Sequence, residues 1–343
     1  MKHSDRVTIF AAEIWDWYAR HKRELPWRDL QITNDTQRAY LILVSEIMLQ
    51  QTQVPRVKIV FRNFLSSYPK VEDLAAASNA EVILSWRGMG YNSRALRLRD
   101  AAKIIVTRYS LLVNNETSID LKKNDITSNT QPVTSNIFPR EMSELLTLPG
   151  VGHYTASAIR NFAFNIPTPC IDTNIRRILH RTFVGPESSD GSWKKDDKHL
   201  LKIAAEVLEQ AIDETHDTAN WHAALMDFGS LVCTKRSPKW DICPLTTAGI
   251  MKAAHKVPTL LSTPKKEPGR EMCGRFVPNR IFRGKIVEEL RDETAGLKLE
   301  DIGSRICLDW SKEEHSKWLS GLVEKLMKDQ LIEKKKTSYA LAK

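Results

Sequence analysis

Leu148-Pro149-Gly150-Val151-Gly152-His153-Tyr154-Thr155-Ala156, followed by Cys170-Ile171-Asp172-Thr173-Asn174, decides the reading of this chain. A Pro-Gly-Val-Gly turn runs straight into an apolar helical stretch. The two glycines permit positive φ and keep bulk away from the backbone. The amides that open the next helix have no intrahelical partner. Such a helix start is an anion seat, and a phosphate is a natural occupant. Asp172 follows Gly152 by 20 residues, about the distance needed to cross one helix and return. On the turn alone, a helix-turn-helix with a glycine corner is an equal reading. The later Asp-x-Asn makes the combination far more specific.

Composition bounds the rest. A chain of 343 residues suggests two or three domains. Lys+Arg 51 against Asp+Glu 42 gives a net charge of +9, which favours a polyanionic partner. No apolar run reaches the roughly 18 residues of a membrane span. The N-terminus, Met1-Lys2-His3-Ser4-Asp5-Arg6, lacks an apolar signal core. Five scattered cysteines argue against a disulfide framework and for a reducing interior. A soluble, cytoplasmic protein is expected, or a nuclear one in a eukaryote.

Helical periodicity dominates, so the expected class is all-α. Residues 7 to 20 read as a helix, and several helices follow from Tyr40 to about Arg108, broken at Ser67-Tyr68-Pro69 and Gly88-Met89-Gly90. Residues 113–137 are polar and turn-rich, and are expected to form a mobile loop. Residues 255–272 read as a basic linker. Beyond it, Ile281–Leu290, Leu297–Ile306 and Glu313–Leu331 read as helices and Ile332–Leu341 as a hairpin. Residues 273–343 therefore look like a small winged-helix-like module, or a helical appendage packed on the rest.

Four motifs resemble one family. Leu148–Ala156 with Asp172 is similar to the hairpin and aspartate of the helix-hairpin-helix (endonuclease III superfamily) DNA glycosylases. Leu25-Pro26-Trp27-Arg28, Ser45-Glu46-Ile47-Met48-Leu49-Gln50-Gln51-Thr52-Gln53-Val54 and Gly88-Met89-Gly90-Tyr91 narrow the likeness to adenine DNA glycosylases of the MutY type. The match runs in family order from about Leu25 to about Leu245. It implies two helical domains, residues 1–30 plus 138–254 and an inserted 31–137, with double-stranded DNA containing a mismatched or damaged base bound in the cleft by a monomer.

The implied chemistry needs an acid and an anion in distinct environments. The resemblance makes Glu46 the acid that protonates the departing base and then handles water. Burial among Leu43, Val44, Ile47, Met48 and Leu49 would suit that role. Alone, Glu46 reads most simply as an exposed helix glutamate, and only the surrounding Leu-Gln-Gln-Thr-Gln match turns the reading toward the acid. Asp172 would stabilise the sugar cation, and it is also a natural N-cap. Asn174 would orient Asp172 or the water. Family members that also cut the strand carry a lysine where Tyr154 stands. Tyrosine cannot form the imine, so removal of the base without strand cleavage is expected. The nucleotide must be flipped out of the duplex. Gln51 and Tyr91 would enter the helix, Gly150, Gly152, His153 and Thr155 would hold the backbone, and Arg94, with Arg97 and Arg99, would meet phosphate or form a solvated face. Trp27, Leu49 and Ala223 would line the base pocket.

Three departures stand out. The family's Cys-x6-Cys-x2-Cys-x5-Cys set holds a [4Fe-4S] cluster. Here Cys233 and Cys243 keep two places, while Trp240 and Gly249 occupy the others. No cofactor and no metal are therefore expected, with Trp240 packing into the freed space. A Zn site on Cys233, Cys243 and a histidine is poorly spaced. Ala223 stands where adenine glycosylases often place Glu or Gln to read the base, which also suits thymine or uracil excision opposite guanine. No MutT-like domain is recognisable after the linker. The leading expectation is excision of adenine opposite guanine or 8-oxoguanine; a catalytically lapsed DNA-binding protein is the third reading, opposed by the retained Glu46 and Asp172.

Overall fold

Val7, Phe10, Ala11, Ile14, Trp17 and Tyr18 are buried at three- and four-residue spacing, and this stripe makes His3–His21 the first helix, α1. The computed structural model describes residues 1–120, 138–256, 258 and 267–343. It is predominantly helical, as the periodicity implies. The helices that follow are α2 (Asp35–Leu49), α3 (Val54–Ser67), α4 (Val71–Ala76), α5 (Asn79–Ser85), α6 (Ser93–Asp120), α7 (Met142–Leu145), α8 (His153–Phe164) and α9 (Thr173–Leu179). A π-helical turn, His180–Val184, extends α9. Then come α10 (Asp197–Ile212), α11 (Thr218–Leu231) and α12 (Pro244–Thr247). The C-terminal part is β1 (Gly269–Met272), β2 (Arg275–Pro278), α13 (Asn279–Arg291), α14 (Leu299–Ile306), α15 (Lys312–Lys328), β3 (Ile332–Lys335) and β4 (Ser338–Leu341).

Contacts divide the chain into two units. One comprises Met1–Leu43, Arg140–Thr147 and Val151–Pro264. Its core joins Phe10, Ile14 and Trp17 of α1 to Ile175, Ile178, Leu208, Trp221 and Phe228. The other comprises Val44–Pro139, Leu148–Gly150 and Lys265–Lys343. The division falls inside α2, a continuous helix whose periodicity carries no mark of it, rather than at residue 30. The C-terminal helices share one apolar core with Ile83 of α5 and Leu96 of α6.

Two expectations need correction. Residues 113–120 are not loop but continue α6, in which no glycine or proline interrupts Ser93–Asp120. The remainder of the expected mobile loop, 121–137, lies outside the described residues, as do 257 and 259–266 of the expected linker. That linker also ends early, because Gly269–Met272 pairs antiparallel with Arg275–Pro278. Cys273 (φ +51°) and Gly274 (φ +74°) make the two-residue turn between them. Among the described residues, no helix is long and apolar enough to cross a membrane.

Candidate active site

The hairpin uses one of its glycines in the manner expected. Gly150 has φ +83°, and a Cβ there would lie 3.3 Å from Arg97 Cβ. Gly152 is different: its φ of −99° suits any residue, and a Cβ there would meet nothing within 4 Å. It caps α8, whose first turn exposes His153. Thr155 is buried, so its side chain faces the interior rather than a ligand. Tyr154 is half-buried and packs against the core of its unit.

Asp172 is the N-cap of α9. Its Oδ1 accepts the backbone N–H groups of Asn174 (2.9 Å) and Ile175 (2.6 Å), and its Oδ2 accepts the Asn174 amide (3.2 Å). Burial raises its pKa, against the pull of those hydrogen bonds and of Arg177. A supporting chain runs on from there. Arg177 donates to Asn174 Oδ1 at 2.7 Å and to the carbonyls of Gly229 (2.6 Å) and Cys233 (2.5 Å). A Cβ on Gly229 would come within 2.6 Å of Asn174 Cβ, so only glycine leaves room for that amide. Arg177 was not legible as a site residue, although its i,i+3 spacing from Asn174 places both on one face of α9.

The second unit carries the other candidates. Glu46 is 7 % exposed, in the buried face of α2. Leu49 is half-buried at the end of that helix, and Gln51 is exposed with φ +56°. Gly88 (φ +81°) and Gly90 (φ +65°) flank a loop whose Tyr91 has φ +45° and is 47 % exposed. Arg94 is not a phosphate contact. It is 6 % exposed, and its guanidinium donates to the carbonyls of Ile47, Met48 and Gln50 and to those of Met89 and Gly90. Arg99 is buried against Asn79 and Asp100, whereas Arg97 is exposed. Three arginines at helical spacing look alike in sequence, and only packing separates them.

Trp27 and Ala223, both in the first unit, are buried and line one cavity of about 240 Å3. The loop bearing Trp27 is pinned by Asp227, which is fully buried. Asp227 accepts two hydrogen bonds from Arg28, at 2.8 Å each, and two from Arg23, from its Nε at 2.7 Å and its backbone N–H at 3.0 Å. Beside Ala223, His222 is 3 % exposed. Its Nδ1 donates to the Thr218 carbonyl at 2.8 Å, and its Nε2 faces the Asn161 amide nitrogen at 3.4 Å. Nε2 must therefore accept, which requires neutral imidazole. Burial lowers this pKa from 6.5 to about 4.

Linkage fixes the sign. As pH falls below 6.5 the unfolded chain takes up a proton that folded His222 refuses until about pH 4. Stability present above pH 6.5 is thus lost on acidification, by up to about 3 kcal/mol. Urea unfolding of wild type and His222→Asn at pH 7, 5.5 and 4 should show a shallower acid slope in the variant. Parallel slopes would refute the assignment.

The residues at the cysteine loop do not fit a [4Fe-4S] cluster. Only two of the four places carry a cysteine: Cys233 and Cys243 are buried free thiols, while Trp240 and Gly249, which offer no thiolate, stand at the others. Arg181, fully buried, has Nη1 only 3.7 Å from Cys233 Sγ. It pairs with Glu187 at 2.7 Å, donates to the carbonyls of Thr234 (2.8 Å) and Lys235 (3.2 Å), and lies over the Trp240 ring. Trp240 is half-buried and packs on the core of its unit. Lys235, Arg236 and Lys239 are exposed. Among the described residues, no group of three His, Cys, Asp or Glu side chains is placed to hold a metal ion.

Residues 44–210 match the HhH-GPD superfamily base excision DNA repair protein family. The chain is 33% identical over 288 residues to an adenine DNA glycosylase of Mycolicibacterium smegmatis, covering 84% of this chain and 82% of that one. It is 34% identical to the adenine DNA glycosylase of Mus musculus over 70% of this chain, which spans 41% of the mouse protein. In fold it is similar to a thermostable thymine-DNA glycosylase, with a TM-score of 0.54 at 24% identity over 71% of this chain and 94% of that one. A non-covalent endonuclease III–DNA complex gives a TM-score of 0.53 at 18% identity over 75% of this chain and 98% of that one.

Proposed function

Because the chain belongs to the HhH-GPD superfamily of base excision DNA repair proteins, and is a DNA glycosylase by that descent, we propose that it removes a mispaired adenine, opposite guanine or 8-oxoguanine, from duplex DNA without cutting the strand. The observation that carries this reading is Asp172: a half-buried carboxylate, capped onto α9 and braced by Asn174 and Arg177, in a chain that parallels an adenine DNA glycosylase over most of both lengths.

The target nucleotide leaves the stack, with Tyr91 and Gln51 filling the gap. Glu46 donates a proton to the departing base and then takes one from water. The sugar develops cationic character. A desolvated carboxylate such as Asp172 attracts that charge more strongly than a hydrated one would. Asn174 keeps the carboxylate aimed. Tyr154 has no amine with which to attack the sugar, so the backbone stays intact. The protein works without an iron–sulfur cluster: Arg181, Glu187 and Trp240 hold the loop that thiolates would otherwise hold.

A duplex panel tests the substrate. Incubation with A·8-oxoG, A·G, T·G and U·G pairs should leave abasic sites in the adenine duplexes that break only after alkali. Breaks without alkali would overturn the hydrolytic reading. Ala223 favours a second reading, excision of thymine or uracil opposite guanine, and activity confined to T·G and U·G would establish it. Metal content is a separate check. Active enzyme should contain neither iron nor acid-labile sulfide, and stoichiometric amounts of both would sink the clusterless proposal.

A further inference from the structure

The cavity that holds Trp27 and Ala223 has one more polar wall. Asn220 lies one turn before Ala223 on α11, and both line the same space. Ala223 offers no hydrogen bond there. The Asn220 amide is held at both ends: Nδ2 donates to Asp217 Oδ2 at 2.7 Å, and Oδ1 accepts from the Tyr18 hydroxyl at 3.0 Å. A carboxylate only accepts, so the nitrogen must face Asp217. Burial pushes the Tyr18 phenol up, so it keeps the proton it donates.

A primary amide has two N–H donors and two oxygen lone pairs. One of each is used by Asp217 and Tyr18, leaving one of each for a ligand. Of the other polar residues that line the cavity, Arg28, Arg38 and Asn165 are held by partners within the fold. Arg28 turns both of its terminal nitrogens to Asp227, and Asn165 Oδ1 accepts from the backbone amides of Thr218 and Ala219. Arg38 is spent on the carbonyls of Ile32 and Ala163. We propose that Asn220, oriented by Asp217 and Tyr18, reads the edge of the flipped adenine in place of the polar side chain that position 223 lacks. Adenine sets its N6 amino donor beside the N7 acceptor, and an amide complements that pair. Guanine offers two acceptors on the same edge, O6 and N7, which one amide does not match.

This inference rests on the adenine reading above, and the experiment separates the two. Single-turnover excision is measured for wild type, Asn220→Ala and Tyr18→Phe on duplexes carrying either adenine or purine, which lacks the 6-amino group but keeps N7. Wild type should prefer adenine. Asn220→Ala should lower that preference about tenfold, the order expected for a lost bidentate base contact. Tyr18→Phe should lower it less, because the amide remains but is freed to turn. Equal losses on adenine and purine in both variants would reduce Asn220 to a structural role and overturn the inference. An unchanged preference would overturn it as well. If wild type excises neither base, the adenine reading itself has failed, and that shows in the wild-type reaction alone.

Discussion

Asp172→Asn is expected to lower base excision by about a hundred- to a thousandfold while leaving the fold intact. The magnitude is that of removing one preorganised electrostatic partner of a transition state. The fold survives because asparagine caps helices as well as aspartate does. Its carbonyl oxygen still meets the backbone N–H groups of Asn174 and Ile175, at the 2.9 and 2.6 Å that Asp172 Oδ1 now spans. What disappears is the charge, together with the Asn174 amide contact, which would become donor against donor. Burial already disfavours the anion. The variant should therefore unfold at the same temperature as wild type or a higher one. Single-turnover excision and a thermal scan on the same preparation read both halves. Near-wild-type activity would remove Asp172 from the mechanism, and a large fall in unfolding temperature would make the activity loss uninterpretable as chemistry.

Asp227→Ala is expected to cost about 3–5 kcal/mol of stability, the range for removing one partner of a buried ion pair. Its carboxylate is wholly buried and holds Arg28, whose side chain is only 10% exposed, and Arg23, at 26%. Without it the Arg28 guanidinium stays buried and unpaired. The loop carrying Trp27 then loses its anchor, so excision should fall along with stability. Asp227→Asn, which still accepts hydrogen bonds but carries no charge, should cost less. Urea unfolding of the three proteins at neutral pH tests the order. Equal stability of wild type and Asp227→Ala would show that solvent reaches the site and that Trp27 is held by other means.

The difference between what was and was not legible follows from range. Asp172, Asn174 and Tyr154 lie in short local patterns, a turn, a cap and a helix start, and such patterns are written in adjacent residues. The all-α class is legible for the same reason. Arg94 was not, because its five carbonyl partners come from two separate segments. Arg177 and Arg181 face loops some fifty positions away in sequence. The β1–β2 hairpin was missed because its turn is Cys273-Gly274, whereas the strong hairpin signals are Asn-Gly and Asp-Gly. The division within α2 has no sequence mark at all, since a helix that changes partners keeps its period.

Arg94 also has a mechanical meaning. One guanidinium fastens the tail of the helix that bears Glu46 and the root of the loop that bears Tyr91. Acid and aromatic tip are thereby mounted on a common joint. The stiffness of that joint governs how far the tip yields when pressed, and any slackening of it is felt at the acid's own helix.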